Sequence, residues 1–206
     1  MTLKHEYRKH EKELYDPKGN PRRVEIPSLN YIAINGTGNP NTEEFSSKIE
    51  SLFTLAYTLK MFPRKGVIIK DYYDYTVYPL EGVWDLSEKG RLETTLNKDE
   101  LVYTIMIRQP FFMTEELFNQ AVEVSKHKNV NIKDVYWHLS PPTTVVQIMH
   151  IGSFDSEPLS FNKIQEYCDV NGLKRISHIH REIYLSDFRK TKQESLKTIL
   201  QVEVTF

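Results

Sequence analysis

The stretch TTVVQIMHIGSFDSEPLSFNKIQEYC, residues 143–168, changes its period halfway. Its first ten residues are β-branched and apolar, as a strand requires. From Ser156 the apolar positions fall at helical spacing, with Phe161, Ile164 and Cys168 on one stripe. Asn171-Gly172 ends that helix. Two further strands follow, HIHREIYLSD (178–187) and LKTILQVEVTF (196–206). The same order occurs earlier in the chain. YIAING (31–36) reads as a strand that runs into the turn GTGNPN. NTEE then offers an N-cap at Asn41 with Glu44 three residues on. Phe45, Ile49, Leu52, Phe53 and Ala56 carry a helix to about Met61, where FPRKG stops it. DYYDYTVYPLEGVWDL (71–86) and ELVYTIMIRQP (100–110) are the two strands that close this first unit.

Strand, helix, strand, strand therefore appears twice, as unit one at about 29–110 and unit two at about 143–206. A connector helix lies between them at about 114–128, with Leu117, Phe118, Ala121 and Val122 on its stripe. The expected fold is α+β, two tandem units forming one antiparallel sheet with helices on one face. A pseudo-twofold relation between the units would create a ligand cleft. Residues 1–28 are polar and read as an extension packed on the single domain formed by 29–206.

Composition narrows the function. Lys+Arg 27 against Asp+Glu 28 leaves a net charge of -1, and no basic block marks a nucleic-acid groove. The single cysteine, Cys168, excludes an intrachain disulfide and fits a reducing compartment. The N-terminus has no apolar core of a signal sequence, and no run has the length of a membrane span. The expectation is a soluble cytoplasmic protein, monomeric or weakly dimeric, with no membrane or nucleic-acid partner and no cofactor.

The candidate site starts from alternation in HIHREIYLSD. An extended chain puts Ile179, Arg181, Ile183 and Leu185 on one face and His178, His180, Glu182 and Tyr184 on the other. A carboxylate amid imidazoles and a phenol suits a general base toward water, or a charge partner for a planar cation. A solvated strand glutamate, or one paired with an arginine, is the plainer reading of Glu182. Trp84 and Tyr103 are candidate walls for a flat ligand or ordinary core aromatics. In 72–78, alternation sets Tyr73 and Tyr75 on one side and Tyr72 and Tyr78 on the other, and the first pair is favoured as ligand-facing. VYWHLSPP (135–142) supplies Tyr136, Trp137 and His138 as a stiff aromatic loop that lids a pocket or plugs a core end.

Metal binding by His178 and His180, with His150 joining, lacks a third ligand at recognisable spacing. Asp187 and Arg189 read as a brace for the following turn. GTGNPN lacks the spacing of a phosphate loop, and no G-x-S-x-G elbow is present.

Several long blocks carry a resemblance: EYRKHEKELYDPKGNPRRVEIPSLNYIAINGTGNPN, YPLEGVWDL, YTIMIRQP and HREIYLSDFRKT followed by LKTILQVEV. Over nearly the whole chain they resemble the GyrI-like small-molecule-binding family, and its stand-alone branch of about 200 residues in particular. The resemblance implies two tandem strand-helix-strand-strand units. It also implies a pocket centred on Glu182 for planar aromatic or cationic molecules. Members of the stand-alone branch are associated with hydrolysis of cyclopropanoid alkylating compounds, a detoxifying activity. Ligand domains of multidrug-responsive regulators share the fold and use a buried carboxylate for cationic drugs.

The expected function is thus a hydrolase that opens the cyclopropane ring of planar aromatic alkylators with a glutamate-activated water. Alternatives are a non-catalytic binder or sensor of planar cationic drugs, or an interaction module related to gyrase inhibitors and transcription regulators. The family reads SDPR where this chain has SDFR, with Phe188 for proline. The expectation is that Phe188 alters the exit turn and not the site.

Overall fold

The computed structural model describes residues 4–128 and 130–206. Among them are nine strands and five α-helices, and the chain is α+β. It divides into two compact units that interleave in sequence. The first gathers Leu29–Leu80 and Asp85–Ser140; the second gathers Glu6–Ser28, Glu81–Trp84 and Pro141–Phe206.

In the first unit, β2 (Leu29–Thr37) lies between β4 (Leu101–Gln109) and β5 (Tyr136–Ser140), antiparallel to both. Helix α3 (Glu43–Met61) packs on β2 and β4 through Phe45, Ile49, Leu52, Ala56 and Leu59, all buried at helical spacing. Its cap is Thr42, whose hydroxyl accepts the Phe45 amide at 3.3 Å, one residue later than the sequence suggested. Helix α4 (Glu115–Ser125), capped by Thr114, packs on α3. Gly36 faces Tyr103 across the β2–β4 ladder, and a Cβ built there would lie 2.4 Å from the tyrosine ring.

In the second unit the strand order is β1 (Arg22–Ile26), β6 (Thr143–Ile151), β9 (Lys197–Thr205), β8 (His180–Tyr184) and then the central residues of β3 (Leu80–Leu86), each pair antiparallel. The two-residue β7 (Lys174–Arg175) pairs separately with β9. Helix α5 (Glu157–Val170) covers one face, where Ile164 and Cys168 join Val146, Ile148, Leu200 and Val202 in a buried cluster. Two single-turn helices, α1 (Tyr7–His10) and α2 (Lys12–Tyr15), precede β1. The Gln147 amide donates to the Glu13 carbonyl at 2.7 Å, tying this segment to β6.

The repeated element order is present: β2, α3, β3, β4 and then β6, α5, β8, β9. Three local expectations are corrected. Residues 6–28 are not a plain extension, because they supply an edge strand to the second unit. Residues 71–78 form no strand beyond an isolated bridge at Tyr75, so alternation does not sort their tyrosines. Tyr75 and Tyr78 are both buried, while Tyr72 and Tyr73 are partly exposed. VYWHLSPP is not a loop, since 136–140 are strand β5.

Gly36→Ala must displace the Tyr103 ring, and should destabilise the protein by about 1–3 kcal/mol in urea unfolding. The cost should largely vanish in a Tyr103→Ala background. Equal costs in both backgrounds would contradict the close packing.

Candidate functional site

The second unit brings Glu182, His180, Tyr184 and Trp84 together. Glu182 and Gly82 are opposite each other in the β8–β3 ladder, as are His180 and Trp84. Residues opposite one another share a face, and alternation adds Tyr184 to it. The same face continues through Leu200 and Thr198 on β9 to Ile148 and His150 on β6. Helix α5 lies over it, so Glu182 is only 8% exposed.

A buried carboxylate requires donors, and Glu182 has them. His180 Nε2 lies 3.0 Å from its Oε1, so this nitrogen carries the hydrogen and donates. The Tyr184 hydroxyl is hydrogen-bonded to Glu182 as well. Trp84 Nε1 in turn donates to the Tyr184 oxygen at 2.8 Å. Burial first, and then the Glu182 charge, push the Tyr184 phenol well above its ordinary value, so it stays protonated and a donor. Its ring keeps some surface exposure while its hydroxyl is enclosed.

Aromatic side chains surround this chain of hydrogen bonds. Phe161 of α5 meets His180 edge-on at 4.9 Å between ring centres. Phe154, Tyr184 and Phe188 form a triangle with ring centres 6.0–6.1 Å apart. Phe188 therefore braces the ring that carries the Tyr184 hydroxyl, which corrects the expectation that it affects the exit turn alone.

Gly82 is part of the design. A Cβ there would lie 2.5 Å from Trp84 Nε1 and 3.1 Å from the Tyr184 oxygen. No side chain larger than hydrogen leaves room for the Trp84–Tyr184 bond.

Sequence reading missed Glu157, the first residue of α5, which is 7% exposed. Its Oε1 has no hydrogen-bond partner among the described residues. Burial, then Glu182, then Asp155 push its carboxyl up to about 9. The signal was available: Glu157 precedes Phe161 by four residues and so shares the inward stripe. An acid in a first helical turn ordinarily reads as a dipole partner.

The remaining sequence candidates belong to the first unit. Tyr103 is buried edge-on against Phe45 at 5.1 Å. Tyr136 donates its hydroxyl to the Asn35 amide oxygen at 2.9 Å, and Trp137 packs against Phe118. Tyr73 sits between His5 and Phe112. Tyr75 lies beneath the Lys60 ammonium, which also pairs with Asp74 at 2.7 Å. An open hollow of about 510 Å³ beside α4, lined by Phe62, Val67 and Val122 among others, has Glu123 as its acid. That acid pairs with Lys126 at 2.6 Å. His178 is exposed and precedes β8, and among the described residues no three metal-ligating side chains cluster.

A buried strand carboxylate with donors and aromatic neighbours is the candidate site of this unit. The GyrI-like small molecule binding domain matches residues 19–205, and the chain belongs to that family. A hydrolase from Listeria innocua is similar at 33% identity, with a TM-score of 0.89 over 98% of this chain and 100% of that one. An uncharacterized conserved protein from Listeria innocua is similar at 35% identity, with the same TM-score and coverage. The C-terminal domain of EcmrR is like it in fold at 15% identity, TM-score 0.50, over 90% of this chain and 97% of that one. No protein of curated function matches the chain. Among the described residues no helix is long and apolar enough to cross a membrane.

Two outcomes follow. Gly82→Ala should break the Trp84–Tyr184 bond and shift Trp84 emission to the red, read in a Trp137→Phe background; unchanged emission would contradict the packing. The native state holds the Glu157 proton more tightly than the unfolded chain, where the carboxyl titrates near 4.5. Its contribution to stability is complete below that pH and is lost as pH rises toward about 9. Glu157→Gln should therefore match wild type in acid and exceed it increasingly up to that pH in urea titrations. A gap that does not change with pH would refute this.

Proposed function

We propose that the protein is a small-molecule hydrolase acting on planar aromatic electrophiles activated by a cyclopropane ring. The observation that carries the proposal is Glu182, a buried strand carboxylate held by His180 and Tyr184 and surrounded by aromatic rings. Family membership supports small-molecule binding, and the similarity to a Listeria hydrolase supports hydrolysis.

In this reading Glu182 accepts a proton from a water molecule as its oxygen bonds to the strained ring carbon. The carbon–carbon bond that breaks gives its electron pair to the conjugated dienone. The ring becomes aromatic, and the former carbonyl oxygen takes a proton from solvent to give the phenol. Glu182 then returns its proton to solvent, so the sum is substrate plus water. His180 and Tyr184 hold the carboxylate on its strand, and Trp84 holds Tyr184. Trp84 and Phe161 are the rings best placed to meet a flat substrate. Relief of ring strain provides much of the driving force. A role in detoxification follows from the reactivity of such alkylators.

The test is turnover of a cyclopropanoid alkylator in oxygen-18 water, with products followed by mass spectrometry. Wild type should form the labelled ring-opened alcohol, and Glu182→Gln, checked for folding by circular dichroism, should be slower by about 100-fold or more. Compound bound but unchanged would leave a binding protein in which Glu182 is a charge partner for planar cations.

A further inference from the structure

Two contacts set the register of α5 and its preceding turn over β8. Phe154 meets Tyr184 at 6.0 Å, and Phe161 meets His180 at 4.9 Å. Glu157 lies between those two phenylalanines in sequence, as Glu182 lies between Tyr184 and His180. Glu157 and Phe161 are one helical turn apart on one stripe, about the spacing of alternate residues on a strand. The two carboxyls therefore face each other, from helix and sheet, with both residues at least nine-tenths buried. Glu182 has donors from its own strand; Glu157 Oε1 has no partner among the described residues.

The groups facing Glu157 decide its state. From β8 these are Glu182, Tyr184 and, beyond them, His180; from the turn before α5, Asp155. His150 of β6 is taken up by Ser160, with its Nδ1 2.9 Å from the hydroxyl, and by the Ser153 carbonyl. No cation in this set is directed at Glu157. Two buried carboxylates so arranged do not both ionise, and the one with fewer donors keeps the proton.

We propose that Glu157 is the positioning partner of Glu182: a neutral carboxyl that donates its O–H to the Glu182 carboxylate and leaves the pair with a single negative charge. Glu182 alone remains the base, oriented from the strand side by His180 and Tyr184 and from the helix side by Glu157. Ionisation of Glu157 removes that donor and sets a second negative charge against the first. The kinetic part of this assignment rests on the hydrolase reading; the shared proton does not.

Infrared difference spectra of the full chain in heavy water test the proton directly. Wild type minus Glu157→Gln should show the C=O stretch of one protonated carboxyl at neutral pH. The band should disappear on titration toward pH 9. In Glu182→Gln it should disappear at lower pH, because the repelling charge is gone. An absent band, or a midpoint unmoved by Glu182→Gln, would overturn the proposal whatever the activity.

Turnover then gives the second readout. Wild-type kcat should fall on an alkaline limb that Glu157→Gln lacks. Glu157→Gln, which keeps a donor, should lose less activity than Glu157→Leu, for which a misplaced base costs about 100-fold. An alkaline limb that persists in Glu157→Gln would overturn the positioning role, as would a folded Glu157→Gln inactive at every pH. The expected band and shift with no turnover by wild type would leave the pair standing and refute the hydrolase reading instead.

Discussion

Taking a carboxylate out of water is the constraint around which the second unit is arranged. Glu182 lies under a helix, and a charge there persists only if donors replace the lost hydration. His180 supplies one from two residues away on the same strand, and Tyr184 supplies another from the opposite side. Tyr184 can be spared for this because Trp84 donates to its oxygen, and Trp84 reaches it across Gly82. The sheet register that pairs Gly82 with Glu182 is therefore as much a part of the site as the carboxylate. Slipping that register by one residue would turn all of these groups to the other face.

The opposite face of β8 handles charge differently. Ile183 is buried there opposite Glu81, and Glu81 pairs with Arg181 at 3.5 Å. Glu81 thus has a counter-cation, and Glu182 has the His180 and Tyr184 donors and a second acid. The first unit repeats the element order without the chemistry. The buried face of α3 opens with Phe45 and carries no acid, whereas that of α5 opens with a buried acid. The shared pattern serves packing in one unit and the burial of two acids in the other.

Much of this was legible in the sequence because periodicity reports burial. The changes between period two and period 3.6 located both strand-helix-strand-strand units, and alternation singled out the Glu182 face. Edge strands were less legible. β1, with Arg22, Arg23 and Glu25 among its residues, is solvated along one side and reads as polar linker. β5 lies before a double proline and shows the aromatic clustering of a loop. In 71–78, tyrosines at strand-like spacing suggested a continuous strand, but side-chain packing holds this segment: Tyr75 under Lys60, Tyr72 and Tyr73 against Phe112. Glu157 escaped notice because an acid at a helix start has a sufficient local explanation. Only its helical phase, shared with Phe161, betrays that it points inward.

The order of strands has a further consequence, for synthesis. β9 runs between β6 and β8, and its residues Thr198 and Leu200 lie beside Tyr184 and Glu182. Translation must therefore pass Gln201 before β8 has a full neighbour on that side. A nascent chain that has emerged only as far as Glu182 has β3 available beside β8, but the other edge of β8 is still open. The β9 side of the carboxylate is closed last, and a chain cut before β9 lacks Thr198 and Leu200 beside Tyr184 and Glu182.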